Sequence, residues 1–278
     1  MNVEQNVSLE DIIISHESKA AHLIWFFYRP FGIVLGLTRF MLLVIYLLIT
    51  FMLTVKGNQV TNNLLLFILG IRISYNMRKD KFRQYIIGNI VAANHVSIYD
   101  IFVSLNVRNT ATLLYKPEGP LNKFIIDKVI GQMNGTTWNL LSKRELAVHF
   151  KEWRKNLSKK AVFVVPEKTV NNGKGLFLFD PEFIGKGFSV IPLVIDISLP
   201  FGLHPHATHL SYLGRLQRLF MLPYTSFKVS ALSKKNKKEN QTREEFAKEV
   251  QTEIAEFLKI PSTNYNHLDK KVFVEKKQ

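Results

Sequence analysis

Between Leu23 and Val55 the chain is dominated by apolar and aromatic side chains, interrupted by Arg29-Pro30, Gly32, Gly36 and Arg39. As a straight helix this run would measure about 50 Å at about 1.5 Å per residue. The hydrocarbon core of a bilayer is only about 30 Å thick, and a buried core helix is rarely so long and so aromatic. One tilted span from Phe31 would place Arg39 in hydrocarbon. A re-entrant hairpin broken near the Gly and Arg positions accommodates the interruptions. It leaves both ends on the cytosolic side, and a monotopic anchor of this shape also enters the single lipid layer of a droplet. Trp25, Phe26, Phe27 and Tyr28 beside Arg29 suit an interfacial aromatic belt. Before the run, Met1 to Ala21 is polar and acidic, is expected to be mobile, and lacks the basic start and small-residue site of a signal peptide.

After the anchor, Asn62 to Ser74 reads as a short apolar helix. Arg72, Arg78, Lys79, Lys81 and Arg83 follow as a basic collar, where each cation gains about 1 kcal/mol near an anionic leaflet. From Tyr85 onward strands alternate with helices. Strands are expected near Tyr85–Val91, Thr110–Tyr115, Ala161–Val165, Val190–Ile197 and Ser226–Ala231. Helices are expected near Ser97–Leu105, Pro120–Gly131, Lys143–Leu157, Leu213–Leu222 and Thr242–Leu258. Such alternation predicts an α/β sandwich around a mostly parallel sheet, with its site at the carboxyl ends of the strands. The chain therefore divides into a polar segment (1–21), a membrane hairpin (22–56), an α/β domain (57–260) and a polar tail (261–278) expected to be disordered.

Of the 278 residues none is cysteine, which excludes disulfides, thiolate zinc sites and acyl-cysteine intermediates. The formal net charge of +15 suits an anionic partner, whether a membrane surface, an acidic lipid or a CoA phosphate. No zinc finger, RNA-recognition aromatic pair or basic heptad helix is present, so nucleic acid is a minor alternative that would require the apolar run to be core.

The residues that carry chemistry stand at strand ends. Ile86-Ile87-Gly88-Asn89-Ile90-Val91 reads as a buried strand, and Ala92-Ala93-Asn94-His95-Val96-Ser97-Ile98-Tyr99-Asp100 leads from it into a helix. This junction can turn Asp100 back toward His95. A carboxylate that fixes the imidazole tautomer and offsets the imidazolium is the minimal apparatus for deprotonating a hydroxyl. Ser97 can cap the helix and Asn94 can brace the turn. A second strand end, Val164-Val165-Pro166-Glu167-Lys168-Thr169-Val170-Asn171-Asn172-Gly173-Lys174-Gly175, is rich in turn formers, and its backbone N–H groups can steady a phosphate or oxyanion. A third is Val190-Ile191-Pro192-Leu193.

These three signals, in this order, resemble the glycerolipid acyltransferase family, whose motifs run Asn-His-x-Ser-x-x-Asp, then Phe-Pro-Glu-Gly-Thr-Arg, then Ile-Pro-Val. The first matches at Asn94, His95, Ser97 and Asp100, the second at Pro166, Glu167 and Thr169, the third at Ile191 and Pro192. Within that superfamily the chain is similar to the ancient ubiquitous protein family of lipid droplets and endoplasmic reticulum, which also has a membrane hairpin and Pro-Glu followed by a non-Gly residue and Asn-Gly. The resemblance implies an acyltransferase-like sandwich with His95 and Asp100 catalytic. Around the substrate it implies Asn94, Ser97, Glu167, Lys168, Thr169, Asn172, Gly173 and Lys174.

The resemblance also implies acyl-CoA as a co-substrate, with no bound cofactor and no metal, and a lysolipid and the membrane or droplet surface as partners. Roles in lipid storage and endoplasmic-reticulum-associated degradation follow from it. That family continues into a ubiquitin-binding CUE domain and a segment that recruits a conjugating enzyme, so ubiquitin coupling is expected to be absent here or supplied by a partner. Two departures bear on the acceptor. Val170 stands where phosphate-binding members carry Arg, and Gly131 to Asn139 holds no Arg. Lys168 and Lys174 are nearby, but as point charges, not bidentate forks. An active lysophospholipid acyltransferase and a droplet protein with a silent dyad both remain open. His204, His206 and His209 lack a carboxylate or thiolate neighbour and read as a surface loop, not a metal site.

Overall fold

The computed structural model describes residues 7–52, 59–106, 110–115, 136–140, 143–155, 160–184, 187–206 and 210–277. Seven strands form one sheet: β1 (Ile71–Tyr75), β2 (Ile90–Ala93), β3 (Thr110–Tyr115), β4 (Thr136–Leu140), β5 (Ala161–Val164), β6 (Val190–Ser198) and β7 (Thr225–Ala231). Their order is β1-β7-β6-β2-β5-β3-β4, and every neighbouring pair is parallel except β6–β7. Strands β2 and β5 are buried at every position, as expected of parallel strands covered on both faces. Alternation sends Val91, Ala93, Phe163, Ile191, Leu193 and Ile195 into one core layer, and Ile90, Ala92, Val162, Val164, Val190 and Val194 into the other. The second layer is closed by α6 (Lys143–Arg154) through Phe150 and Trp153, and by α8 (Arg243–Leu258) through Phe246, Val250 and Ile254.

The expected hairpin break near the Gly and Arg positions does not occur. Helix α2 runs unbroken for 34 residues, Lys19–Met52, with Pro30 inside it. The interruptions have a tertiary explanation. Ala21, Gly32, Gly36, Arg39, Tyr46 and Thr50 are buried, at the spacing of one helical face, and this face lies along the domain. Gly32 and Gly36 rest against Met221. The Arg39 guanidinium donates to the carbonyl oxygens of Phe220 (3.1 Å), Leu222 and Pro223 (2.8 Å), closing the C-terminal end of α7 (Tyr212–Met221). Away from this stripe, Phe26, Phe27, Phe31, Val34, Leu37, Phe40, Met41 and Leu48 are all more than half exposed. Helix α3 (Gln59–Leu69) packs on the far end of α2, where Tyr46 Oη donates to the Thr61 carbonyl. It adds exposed Val60 and Phe67 to the same apolar surface.

Other local expectations are corrected by long-range pairing. The helix expected through Ser74 stops at Leu69. Gly70 turns at φ +69° with Arg39 against its Cα, so a Cβ there would collide with the guanidinium, and Ile71–Tyr75 becomes the edge strand beside β7. The strand expected from Tyr85 is preceded by α4 (Lys79–Ile86) and starts at Ile90. The helix expected at Pro120–Gly131 lies outside the described residues. Within the segments expected to be mobile or disordered, α1 (Leu9–Ile13) buries Ile12 and Ile13 against Phe177, and α9 (His267–Lys277) brings Phe273 to the same cluster. Sequence alone gives these short amphipathic pieces too little apolar surface to be ordered, and it is the shared contact with Phe177 that orders them.

Candidate active site

His95 stands two residues past the end of β2 and Asp100 ends the 3-10 turn Ile98–Asp100, which continues into α5 (Ile101–Asn106). His95 Nδ1 lies 2.9 Å from Asp100 Oδ2, and the same oxygen accepts the backbone N–H groups of Val96 (3.0 Å) and Ser97 (3.2 Å). A carboxylate only accepts, so the ring bond requires the proton on Nδ1 and leaves Nε2 with its lone pair free to act as a base. The Asp100 side chain is 2% exposed and that of His95 23%, so the ring edge reaches solvent while its partner is dry. Ser97 caps the 3-10 turn by accepting from Tyr99 N–H (3.2 Å). Asn94 is fully buried and is bound at both ends of its amide to Ile195 of β6 (2.9 and 2.7 Å), so it clips two strands together and faces no solvent.

The loop after β5 supports His95 from below. Glu167 is buried, and its Oε1 accepts His95 N–H (2.7 Å) and Asn171 Nδ2 (2.9 Å). Its Oε2 accepts Asn171 Nδ2 (2.8 Å) and Phe177 N–H (2.9 Å). Asn171 N–H in turn donates to the His95 carbonyl (2.8 Å). Both backbone polar groups of His95 are therefore held by this loop, a role for Asn171 that the sequence did not reveal. Burial pushes the Glu167 carboxyl up to about 7, opposed by the donors from Asn171, His95 and Phe177.

The remaining residues expected around a substrate separate into two groups. Asn172 is buried, donates to the Asp11 (2.6 Å) and Ile14 (2.8 Å) carbonyls, and ties the N-terminal segment to the loop. Lys168 adopts φ +57°, pairs with Asp180 and sits 5.0 Å above the Phe183 ring. Gly173 turns at φ +77°, which favours glycine there. Thr169 is half-buried and Lys174 exposed. Residues outside the motifs meet this loop and its surroundings. Lys270 of α9 donates to the Val170 carbonyl, and its ammonium is pushed down to about 8 by burial and by Arg215, against the pull of Glu167. His206, expected on a surface loop, is instead buried, with its carbonyl accepting from Ser15 Oγ (2.5 Å). Its imidazole is pushed down to about 3 by burial and by the neighbouring cations Lys270 and Arg215. His209 lies outside the described residues, and among the described residues no three carboxylate or imidazole groups gather to hold a metal.

The mostly parallel sheet thus carries a His-Asp turn at the end of one strand and a Glu-centred loop at the end of its neighbour. No family model matches the chain. The crystal structure of the 1-acyl-sn-glycerophosphate (LPA) acyltransferase PlsC from Thermotoga maritima superposes with a TM-score of 0.53 over 84% of this chain and 96% of that one, at 17% identity, a likeness of fold. In sequence the chain is similar to the lipid droplet-regulating VLDL assembly factor AUP1 of Danio rerio, 25% identical over 215 residues. That match takes in 76% of this chain and 48% of AUP1, so the chain spans about half the length of that relative. The fold and both likenesses are acyltransferase-like, and the exposed helix α2 is long and apolar enough, by length and composition, to cross a membrane.

Proposed function

We propose that the chain acts at the surface of the endoplasmic reticulum and lipid droplets, domain toward the cytosol, as an acyl-CoA-dependent acyltransferase acting on a lysophospholipid hydroxyl. His95 Nε2 takes the hydroxyl proton as the oxygen attacks the thioester carbonyl. Asp100 stabilises the imidazolium, and the proton passes to the CoA sulfur as the tetrahedral intermediate collapses to ester and thiol. The observation that supports this reading most is the 2.9 Å His95–Asp100 contact with both backbone groups of His95 fixed by the Glu167 loop. A group that must move a proton within one turnover gains from such rigidity.

The anchor reading is monotopic. Because α2 is docked on the domain from Ala21 to Thr50, upright insertion would drag the domain into hydrocarbon. Lying flat, with its exposed face down, the helix enters one leaflet or a droplet monolayer and holds the site near the interface. A second reading, a droplet scaffold with lipid or degradation partners, draws support from the likeness to AUP1 and from Val170 in place of Arg. Transfer from labelled acyl-CoA to a panel of lysophospholipids, by purified wild type and His95→Ala, separates the two. The enzyme reading expects a loss of about a thousandfold in the variant. Folded wild type with no transfer above the variant's background leaves the scaffold.

A further inference from the structure

Lys270 belongs to none of the three strand-end signals, yet the C-terminal segment brings it onto the loop that holds His95. The approach is fixed by backbone pairing. Leu176 N–H donates to the Pro261 carbonyl (3.0 Å), Thr263 N–H to the Leu176 carbonyl (3.0 Å) and Leu178 N–H to the Tyr265 carbonyl (2.7 Å). Gln251 of α8 binds the same strands from below, through the carbonyls of Phe177 (3.1 Å) and Thr263 (3.0 Å). From this base α9 carries the Lys270 ammonium to the Val170 carbonyl, with the Phe177 ring centroid 5.8 Å away. The Val170 carbonyl and the Asn171 N–H are the two ends of one peptide unit, and that N–H donates to the His95 carbonyl (2.8 Å). The unit is planar, with acceptor and donor on opposite sides. Ammonium, peptide and His95 carbonyl are therefore one chain of hydrogen bonds, in which each bond polarises the next. Phe177, the second contact, supplies the N–H that Glu167 Oε2 accepts (2.9 Å), while Oε1 accepts His95 N–H (2.7 Å). Lys270 thus touches both routes by which the loop grips the backbone of His95.

We infer that Lys270 is a positioning residue for His95, acting through the Val170–Asn171 peptide. The inference rests on the acyl-transfer reading above. A bond from an ammonium is roughly twice as strong as a neutral one, and it sharpens Asn171 N–H as a donor toward His95. Proton transfer is steeply sensitive to the placement of the base. A side chain from α9 therefore sets how firmly the imidazole is aimed, without touching the substrate.

The test uses the full chain in detergent micelles. Lys270→Met keeps an unbranched stem against Phe177 and removes the charge and the donor. Two readouts are taken. Hydrogen exchange, followed by mass spectrometry on short peptides spanning 168–173, rises about tenfold in the variant, as loss of a charge-assisted bond implies, while exchange in β2 is unchanged. In acyl transfer kcat falls about tenfold, KM for acyl-CoA and for the lysophospholipid changes less than about twofold, and Lys270→Arg recovers most of the loss. Either readout unchanged overturns the inference. Exchange that rises equally in β2 also overturns it, as general loosening, and a raised KM at unchanged kcat does so by making Lys270 a substrate contact. If Lys270→Met fails to fold, Lys270→Gln takes its place, with severalfold effects in the same pattern expected and none overturning. Wild type without acyl transfer removes the enzyme reading, whereas the exchange of 168–173 still decides whether Lys270 holds the peptide.

Discussion

The polar groups beneath His95 and the cations around it differ in how completely they are satisfied. Glu167 and Asn171 are buried and bonded to each other, to His95 and to Phe177. Asn94 and Asn172 are likewise closed on backbone partners. The rim carries Arg215 without a partner for its Nε, a half-buried Lys270 and an exposed Lys174. A saturated buried group serves the fold, because opening it to a ligand would first cost its existing bonds. By this criterion the residues expected around a substrate divide: Asn94, Ser97 and Glu167 brace the turn that carries His95, Asn172 ties the N-terminal segment to the loop, and Lys174 is exposed.

Removing a member of the saturated set should have the largest effect. Glu167→Ala strands the N–H groups of His95 and Phe177 and the amide of Asn171 in a dry interior. A loss of about 4 kcal/mol of stability is expected, read by urea denaturation at neutral pH, together with loss of transfer. A cost under about 1 kcal/mol would mean that the loop does not hold His95.

The same carboxyl should give stability a pH signature. Its folded value of about 7 lies above the usual 4.5, so between these values the folded chain binds more proton than the unfolded one. The resulting stabilisation is fully present below about pH 4.5 and is lost as pH rises through 7. It amounts to about 3 kcal/mol. Comparing unfolding free energies at pH 5 and 8 in wild type and Glu167→Gln isolates it, since the variant cannot ionise. A wild-type slope no steeper than the variant's would place the donors ahead of burial in setting the charge of this group.

Arg39 extends the contrast to the anchor, as a charge fully satisfied within an apolar helix. Arg39→Met should cost about 2 kcal/mol, because the three carbonyl oxygens at the end of α7 lose their donors. It should also loosen α2 from the domain, read as faster proteolysis within 20–50. A protease pattern identical to wild type would argue that the glycine contacts with Met221 suffice.

What could be read from the sequence follows from the range of the forces involved. The strands β3, β5, β6 and β7 and the helices α6, α7 and α8 lie close to where local periodicity puts them, because an apolar run of the right period is its own signal. The His95–Asp100 spacing was visible for the same reason, five residues apart on one turn. Asn171 and Asn172 were indistinguishable as turn formers, and only the fold shows that one faces Glu167 and the other the N-terminal segment. Arg39 looked like a break because its partners lie some 180 residues downstream. Lys270 meets Val170 across 100 residues, from a stretch whose composition alone suggested a disordered tail. Contacts of that separation leave no local pattern.

The smallest effect expected is also the sharpest control on the rim. Lys174 sits in the loop after β5, and its backbone N–H is held by Asn172 Oδ1 (3.0 Å), but its side chain is exposed. Lys174→Ala should therefore change stability by less than about 0.5 kcal/mol and anion binding by less than about twofold, since an exposed charge is screened by water and salt. Titration with lysophosphatidate at low and high salt checks this, because a diffuse field weakens steeply with ionic strength while a guanidinium–phosphate contact at a dry site weakens less. If Lys174→Ala lowers affinity as much as Arg215→Gln, and salt abolishes both differences, the rim attracts anions through its summed charge without a defined fork. If only Arg215→Gln acts, and its effect survives salt, recognition resides in the Arg215 guanidinium.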